Sequence, residues 1–163
     1  MVDCAELTKR ATVYGLGGIV GERQESKILQ KGFVIYEFGG DVHKYIGDAI
    51  FATFETPQDA VEAAVAIQRE IATLKTEFKV RIGIHRGRSI QGNVGSEFRR
   101  DNTLIGDAVN TAQRLESNCT PGHILLSKDV YDEVRSRLGL EGTPKKITVK
   151  GKEEPIEVFE VDP

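Results

Sequence analysis

Gly40-Asp-Val-His-Lys-Tyr-Ile-Gly-Asp-Ala-Ile-Phe-Ala-Thr-Phe54 is the stretch on which the fold of this chain turns. Val42, Lys44 and Ile46 alternate with His43 and Tyr45, the period of two of an extended strand, and Ala49 to Phe54 is a second extended run. Gly47-Asp48 between them predicts a hairpin turn. Thr56-Pro57 follows as a helix cap and first-turn proline. Ala60, Ala64, Ile67, Ile71 and Leu74 then recur at alternating spacings of four and three, one apolar stripe along a helix.

Downstream, Phe78, Val80, Ile82 and Ile84 alternate as a strand, followed by a connection over Gly87–Gly95. A helix is predicted from near Gly106 towards Ser117, with Ala108, Val109, Ala112 and Leu115 inward. His123–Leu126 reads as a short strand, and Ser127 caps a helix carrying Val130, Tyr131, Val134 and Leu138. Ile147–Val149 and Ile156–Val161 close the chain as strands around Lys150-Gly-Lys152. Upstream, Tyr14–Gly21 is glycine-dense and reads as loop or a frayed helix start, because each glycine costs a helix about 1 kcal/mol relative to alanine. A helix from Glu22 towards Glu37 is weakened by Gly32 and stopped by Gly39-Gly40. Hairpins mixed with crossovers predict an α+β sandwich rather than a purely parallel sheet.

The 163 residues suit one domain, with no repeat or linker to divide them. Apolar residues at 39% and charged residues at 29% describe an ordinary globular protein. With 22 basic against 25 acidic residues, the net charge of −3 provides no bulk positive field to draw nucleic acid or an anionic membrane. The longest apolar runs fall far short of the ~20 residues of a membrane helix, and no N-terminal segment has the order of a signal peptide. Cys4 and Cys119 are isolated, which fits a reduced, cytoplasmic compartment. Secreted, membrane-spanning, fibrous and zinc-ribbon classes are excluded.

Several residues are candidates for chemistry. Asp48 sits beside glycine at the predicted hairpin tip, where a carboxylate can reach a cation, although aspartate is also a common turn residue. Asn110 and Arg114 fall at i, i+4 on one helix face, placed either to grip a phosphate oxygen or simply to be solvated. Lys150 and Lys152 flank a glycine, as phosphate ligands or as surface charge. Lys44 lies between Val42 and Ile46, which look inward, so a polar group is expected to meet its ammonium. Gly15 and Gly17 begin a G-x-G-x-x-G pattern, but Val20 occupies the third glycine position, so a dinucleotide fingerprint is rejected. His43, His85 and His123 are scattered and lack metal-ligand spacing. There is no nucleophile elbow.

Taken as a set, these stretches resemble the catalytic domain of class III adenylyl/guanylyl cyclases. The matching runs are Gly39–Ala49, Arg81–Gly87, Gly92–Glu97, Thr103–Glu116, Pro121–Ser127 and Val149–Pro155, in order, covering essentially Gly39 to Val161. The resemblance implies a ferredoxin-like sandwich with a mixed, mostly antiparallel sheet. It implies one catalytic domain over 1–163, with 1–38 a degenerate N-terminal part and the family's first strand truncated. The family's reaction joins the ribose 3′-hydroxyl of a nucleoside triphosphate to its α-phosphorus and releases pyrophosphate, with two Mg²⁺ or Mn²⁺ ions bound by two aspartates.

By this resemblance Asp48 is the second metal aspartate. Asp3, forty-five residues earlier and followed five places later by Thr8, matches the first, and Thr8 belongs to the loop that receives the triphosphate. Glu6 there replaces the family's glycine. A rival alignment sets Gly18 at the first metal position; spacing favours Asp3. Lys44 and Thr103 map to the base-reading positions and suit adenine, since lysine donates to N1 and a threonine hydroxyl accepts from N6. Asn110 would orient the ribose, Arg114 would stabilise charge on the α-phosphate, and Lys152 or Lys150 would meet the terminal phosphates. Sites shared across a homodimer are implied, as are attached regulatory domains in a longer chain; neither nucleic acid binding nor direct membrane insertion is. The leading expectation is an adenylyl cyclase acting on ATP. The alternatives are an inactive cyclase-homology module that binds nucleotide or dimerises, and a guanylyl or pyrimidine-nucleotide cyclase.

Overall fold

The computed structural model describes residues 5–18, 33–46, 49–73, 79–96, 99–148 and 155–163. Its strands are β1 (Ala5–Gly18), β2 (Asp41–Ile46), β3 (Ala49–Phe54), β4 (Val80–Ser96), β5 (Arg99–Ile105), β6 (Ile124–Ser127), β7 (Gly142–Ile147) and β8 (Ile156–Val161). Besides the helical residues 33–37, the helices are α1 (Pro57–Thr73), α2 (Asp107–Asn118) and α3 (Lys128–Leu138). The strands form one sheet in the order β2-β3-β1-β4-β6-β8-β7, with β5 also paired to β4. All pairings are antiparallel except β4 with β6, which are parallel. The α+β expectation holds.

Alternation along the strands sorts the core onto two faces. Ile50, Ala52, Phe54, Val80, Ile82, Ile84, Ile124 and Leu126 point to the side covered by α1 and α3. Phe51, Leu125, Ile147 and Val158 point to the other side, where Ala112 and Leu115 of α2 meet them. The Thr56 hydroxyl accepts from the Asp59 amide at 3.2 Å, so the predicted cap starts α1. Buried Gln68 donates its amide to the Val80 and His123 carbonyls, both at 2.9 Å, and so satisfies backbone groups where β4 and β6 begin. Ser127 stands at the N-cap of α3, but its hydroxyl engages the Asp129 carboxylate at 2.6 Å rather than a backbone amide. Gly139, at φ 63°, ends α3 in the left-handed conformation. Cys119 is buried just past α2, and loss of hydration pushes its thiol up to about 12, leaving it protonated and inert.

Two expectations fail at the N-terminal end. The first strand is not truncated: β1 is 14 residues long and lies between β3 and β4 in the middle of the sheet. Tyr14 to Gly18 belong to that strand, not to a loop. Ala11–Tyr14 pair with Phe54–Phe51 on one side, while Ala5–Gly18 pair with Gln91–Val80 on the other. The ladder with β4 overrides the weak strand propensity of Gly17 and Gly18, and the register shift between Tyr14 and Gly17 is where that weakness shows. The connection predicted after Gly87 is likewise strand, because β4 continues to Ser96 and pairs with β5. Of the predicted helix 22–37, residues 33–37 are described and helical, ending at Gly39 with φ 73°.

Candidate active site

The seat of α2 explains where Asn110 and Arg114 stand. Gly83 and Gly87, four apart on β4, lie directly beneath the helix. A Cβ at 83 would fall 2.3 Å from the Glu116 amide nitrogen and 2.6 Å from the Ala112 carbonyl oxygen, and one at 87 would fall 2.6 Å from the Ala108 Cβ. The strand therefore has no side chain where the helix backbone rests. Ala108, Thr111, Ala112, Leu115 and Glu116 face inward and are buried. Asn110 is exposed and Arg114 half-buried, on the turn of helix facing away from the sheet. They form one pair, as the spacing predicted.

The end of α2 is tied down twice. Glu116 is buried, with its Oε1 3.0 Å from Nη2 of Arg81 on β4. Beyond the helix, Glu160 accepts from the Thr120 amide at 2.9 Å and pairs with Lys145, whose ammonium also reaches the Thr120 hydroxyl at 3.4 Å. Burial alone would raise the Glu160 carboxyl, but the hydrogen bonds from Lys145 and Thr120 hold it below the usual carboxylate range. Neither anchor was legible beforehand; the one signal for the first was Arg81, a charge set among Val80, Ile82 and Ile84.

Lys44 is not the buried ammonium that alternation predicted. A register shift between Val42 and Lys44 sets Val42 opposite Ala52 and Lys44 opposite Phe51. Val42 packs on the α1/α3 core, whereas Lys44 is exposed and on the strand position facing α2, since Phe51 packs with Ala112 and Val109 there. His43 Nε2 meets the Thr53 hydroxyl at 2.7 Å on the flank of Phe51. Thr103 lies in β5 opposite Gly92 of β4. Lys44 and the Asn110/Arg114 helix therefore share one sheet face, and Thr103 lies on the strand that leads into that helix.

Asp3, Asp48, Lys150 and Lys152 fall outside the described residues. Thr8 is described, and its position differs from the expectation of a phosphate loop: it sits within β1, opposite Ser89. Ala5 begins β1 opposite Gln91, and Gly18 ends it opposite Val80. An extended strand of that length spans about 40 Å. Pairing of β1 with β3 runs from Ala11–Phe54 to Tyr14–Phe51, and β2 and β3 close through the Ile46–Ala49 pair. Among the described residues no group of three or more metal-ligating side chains occurs. Two clefts of about 450 and 440 Å³ near the start of α1 and beside α3 are lined by none of the predicted site residues.

Residues 41–161 match the family described as adenylate and guanylate cyclase catalytic domain. The chain belongs to that family. An adenylate cyclase of Anabaena cylindrica is 38% identical over 151 residues, covering 80% of this chain and 30% of that protein. A terminal-differentiation-specific adenylate cyclase of Dictyostelium discoideum is 32% identical, over 78% of this chain and 7% of that one. The chain thus spans under a third of either relative's length. A guanylate cyclase of Toxoplasma gondii is 43% identical across 45% of this chain and 2% of that protein, so both activities are named among the relatives of this cyclase domain. The adenylyl cyclase CyaB of P. aeruginosa shares the fold at a TM-score of 0.84 and 24% identity, covering 96% of each chain. An adenylate/guanylate cyclase/hydrolase from Silicibacter pomeroyi reaches 0.78 at 28% identity, covering 97% and 98%. No helix among the described residues is long and apolar enough to cross a membrane.

Proposed function

We propose that this cyclase domain is an adenylyl cyclase, converting ATP to 3′,5′-cyclic AMP and pyrophosphate in a site shared between two copies of the chain in the cytoplasm. The observation that carries the reading is the seating of α2. Glycine contacts and two polar anchors hold the helix so that Asn110 and Arg114 face outward on the sheet face bearing Lys44.

Lys44 and Thr103 would read adenine, the lysine donating to N1 and the threonine hydroxyl accepting from the N6 amine. Asn110 would hold the ribose so that its 3′-oxygen stands in line with the α-phosphorus. As the oxygen–phosphorus bond forms and the bond to pyrophosphate breaks, Arg114 would stabilise the negative charge gathering on the α-phosphate oxygens. Lys152 or Lys150 would hold the terminal phosphates. Two divalent ions, Mg²⁺ or Mn²⁺, would be held by Asp3 and Asp48, neutralising phosphate charge when bound. Spacing favours Asp3 over Gly18 at the first metal position, although Glu6 nearby stands where the family has glycine.

Glu6 favours a second reading: a nucleotide-binding, dimerising module that has lost turnover. Cyclic nucleotide production by purified protein with Mn²⁺ and ATP, GTP, CTP or UTP, followed across protein concentration, decides between them. Cyclic AMP with specific activity rising as dimer forms supports the adenylyl cyclase. Nucleotide binding by a demonstrable dimer without product supports the second reading, and cyclic GMP as the main product overturns the base assignment.

A further inference from the structure

Resting on the cyclase reading, we propose that the Arg81–Glu116 ion pair is a positioning device that fixes the rotation of α2 and thereby aims Asn110 and Arg114 at the nucleotide. Gly83 and Gly87 let the helix touch β4, but a smooth glycine floor sets only its height. Ala108 and Ala112 present only methyl groups to that floor, and Leu115 packs beyond it on Leu125, Ile147 and Val158, so the glycine contact itself does little to stop the helix turning about its own axis. Glu116 supplies that stop. It lies at the point of closest approach, where its own amide nitrogen would be 2.3 Å from a Cβ at 83, and its carboxylate reaches Arg81 two residues along the same strand.

The pair is asymmetric in a way that suits positioning. Glu116 is buried at 7% exposure, whereas the Arg81 side chain remains 36% exposed and can stay hydrated. Oε1 of Glu116 lies 3.0 Å from the guanidinium yet has no aligned hydrogen bond, while its carboxylate also accepts from the Ser117 hydroxyl at 3.2 Å. Burying a carboxylate at a helix–strand contact opposes stability unless its charge partner keeps its place, so rotation that separates the two is resisted. Arg114 is two residues before Glu116 and points to the opposite side of the helix. With a helix radius of about 6 Å including side chains, a 10° turn moves the outer groups by about 1 Å. A displacement of that size costs on the order of 100-fold in turnover.

The test uses Glu116→Gln, which keeps shape and removes charge, alongside Arg81→Gln and the charge-swapped double variant Arg81→Glu/Glu116→Arg. The expected result for Glu116→Gln is kcat lowered about 10- to 100-fold with KM for ATP within about threefold. The same substitution in an Arg114→Ala background should lower turnover by much less, because the group being aimed is already gone. Partial recovery of kcat in the swapped variant is expected as well. If the swapped variant fails to fold, Arg81→Gln must reproduce the kcat-selective loss. An unchanged kcat, a loss proportional to the fraction unfolded, or an equal loss with and without Arg114 overturns the positioning role alone. A wild-type chain that makes no cyclic nucleotide overturns the cyclase reading and this inference together.

Discussion

Replacing Gly83 by alanine adds one methyl group at the point where the whole site leans on the sheet. The new Cβ would lie 2.3 Å from the Glu116 nitrogen, 2.6 Å from the Ala112 oxygen and 2.9 Å from the Glu116 Cα, all backbone atoms that cannot rotate aside. Reaching ordinary contact needs α2 to lift by about 1 Å, since carbon prefers neighbours at roughly 3.5 Å. Overpacking of this kind costs typically 1–3 kcal/mol, against less than about 1 kcal/mol gained by restricting the unfolded chain. A net loss of about 2 kcal/mol corresponds to a fall of roughly 4–8 °C in the melting midpoint for a domain of this size. The lift also strains the Arg81–Glu116 pair and withdraws Asn110 and Arg114 from the nucleotide, so kcat should fall on the order of 100-fold at temperatures where the variant remains folded. Thermal melts followed by circular dichroism, with turnover measured well below the midpoint, read both effects. A Gly83→Ala protein with wild-type melting and wild-type kcat would refute the seat of α2 and the argument built on it.

Lys44→Glu combined with Thr103→Cys should shift the ATP/GTP preference of kcat/KM towards GTP by at least tenfold; an unchanged ratio removes both residues from base reading. Gly18→Asp should leave Mn²⁺-dependent turnover unchanged while Asp3→Ala abolishes it, whereas a rise of about tenfold or more in Gly18→Asp would move the first metal position to the end of β1. The Glu160 carboxyl is held below its ordinary value in the folded protein, so it binds its proton more readily when unfolded. Its contribution is therefore present above the unfolded value near 4.5 and lost as pH falls through the lower folded value. Lys145→Met should flatten this part of the stability–pH curve below about pH 5 in chemical denaturation, and a curve parallel to wild type would discount the pair.

The hairpin, the apolar stripe of α1 and the cap at Thr56 were legible because each is written in local spacing. So was the Asn110/Arg114 pair, since helical periodicity alone places i and i+4 together. What escaped has a common cause, which is tertiary pairing. Tyr14 to Gly18 look like a loop when judged one residue at a time, and become strand because β4 offers a ladder as far as Gly18, with β3 pairing as far as Tyr14. Lys44 looks buried by strict alternation, and a single bulge after Val42 moves it to the other face. Arg81 and Glu116 are thirty-five residues apart, and nothing local announces that they meet.

Under the cyclase reading, turnover depends on the N-terminal end of the chain, where the strand was hardest to read. Backbone ladders are indifferent to side chains, so a central strand can exchange a carboxylate for glycine and leave the sheet's pairings in place. Fold likeness at a TM-score of 0.84 and 24% identity is accordingly the expected result for an active cyclase and for a silent one alike. The side chains facing the nucleotide carry the distinction. On that side the described residues keep an exposed Lys44, the Asn110/Arg114 pair and a helix seat that tolerates no added methyl group. A module needing only to dimerise has no physical use for an outward amide and guanidinium on a helix seated by two bare glycines and two anchored carboxylates. Precision of that kind is useful where a phosphorus atom has to be held in line with an attacking oxygen.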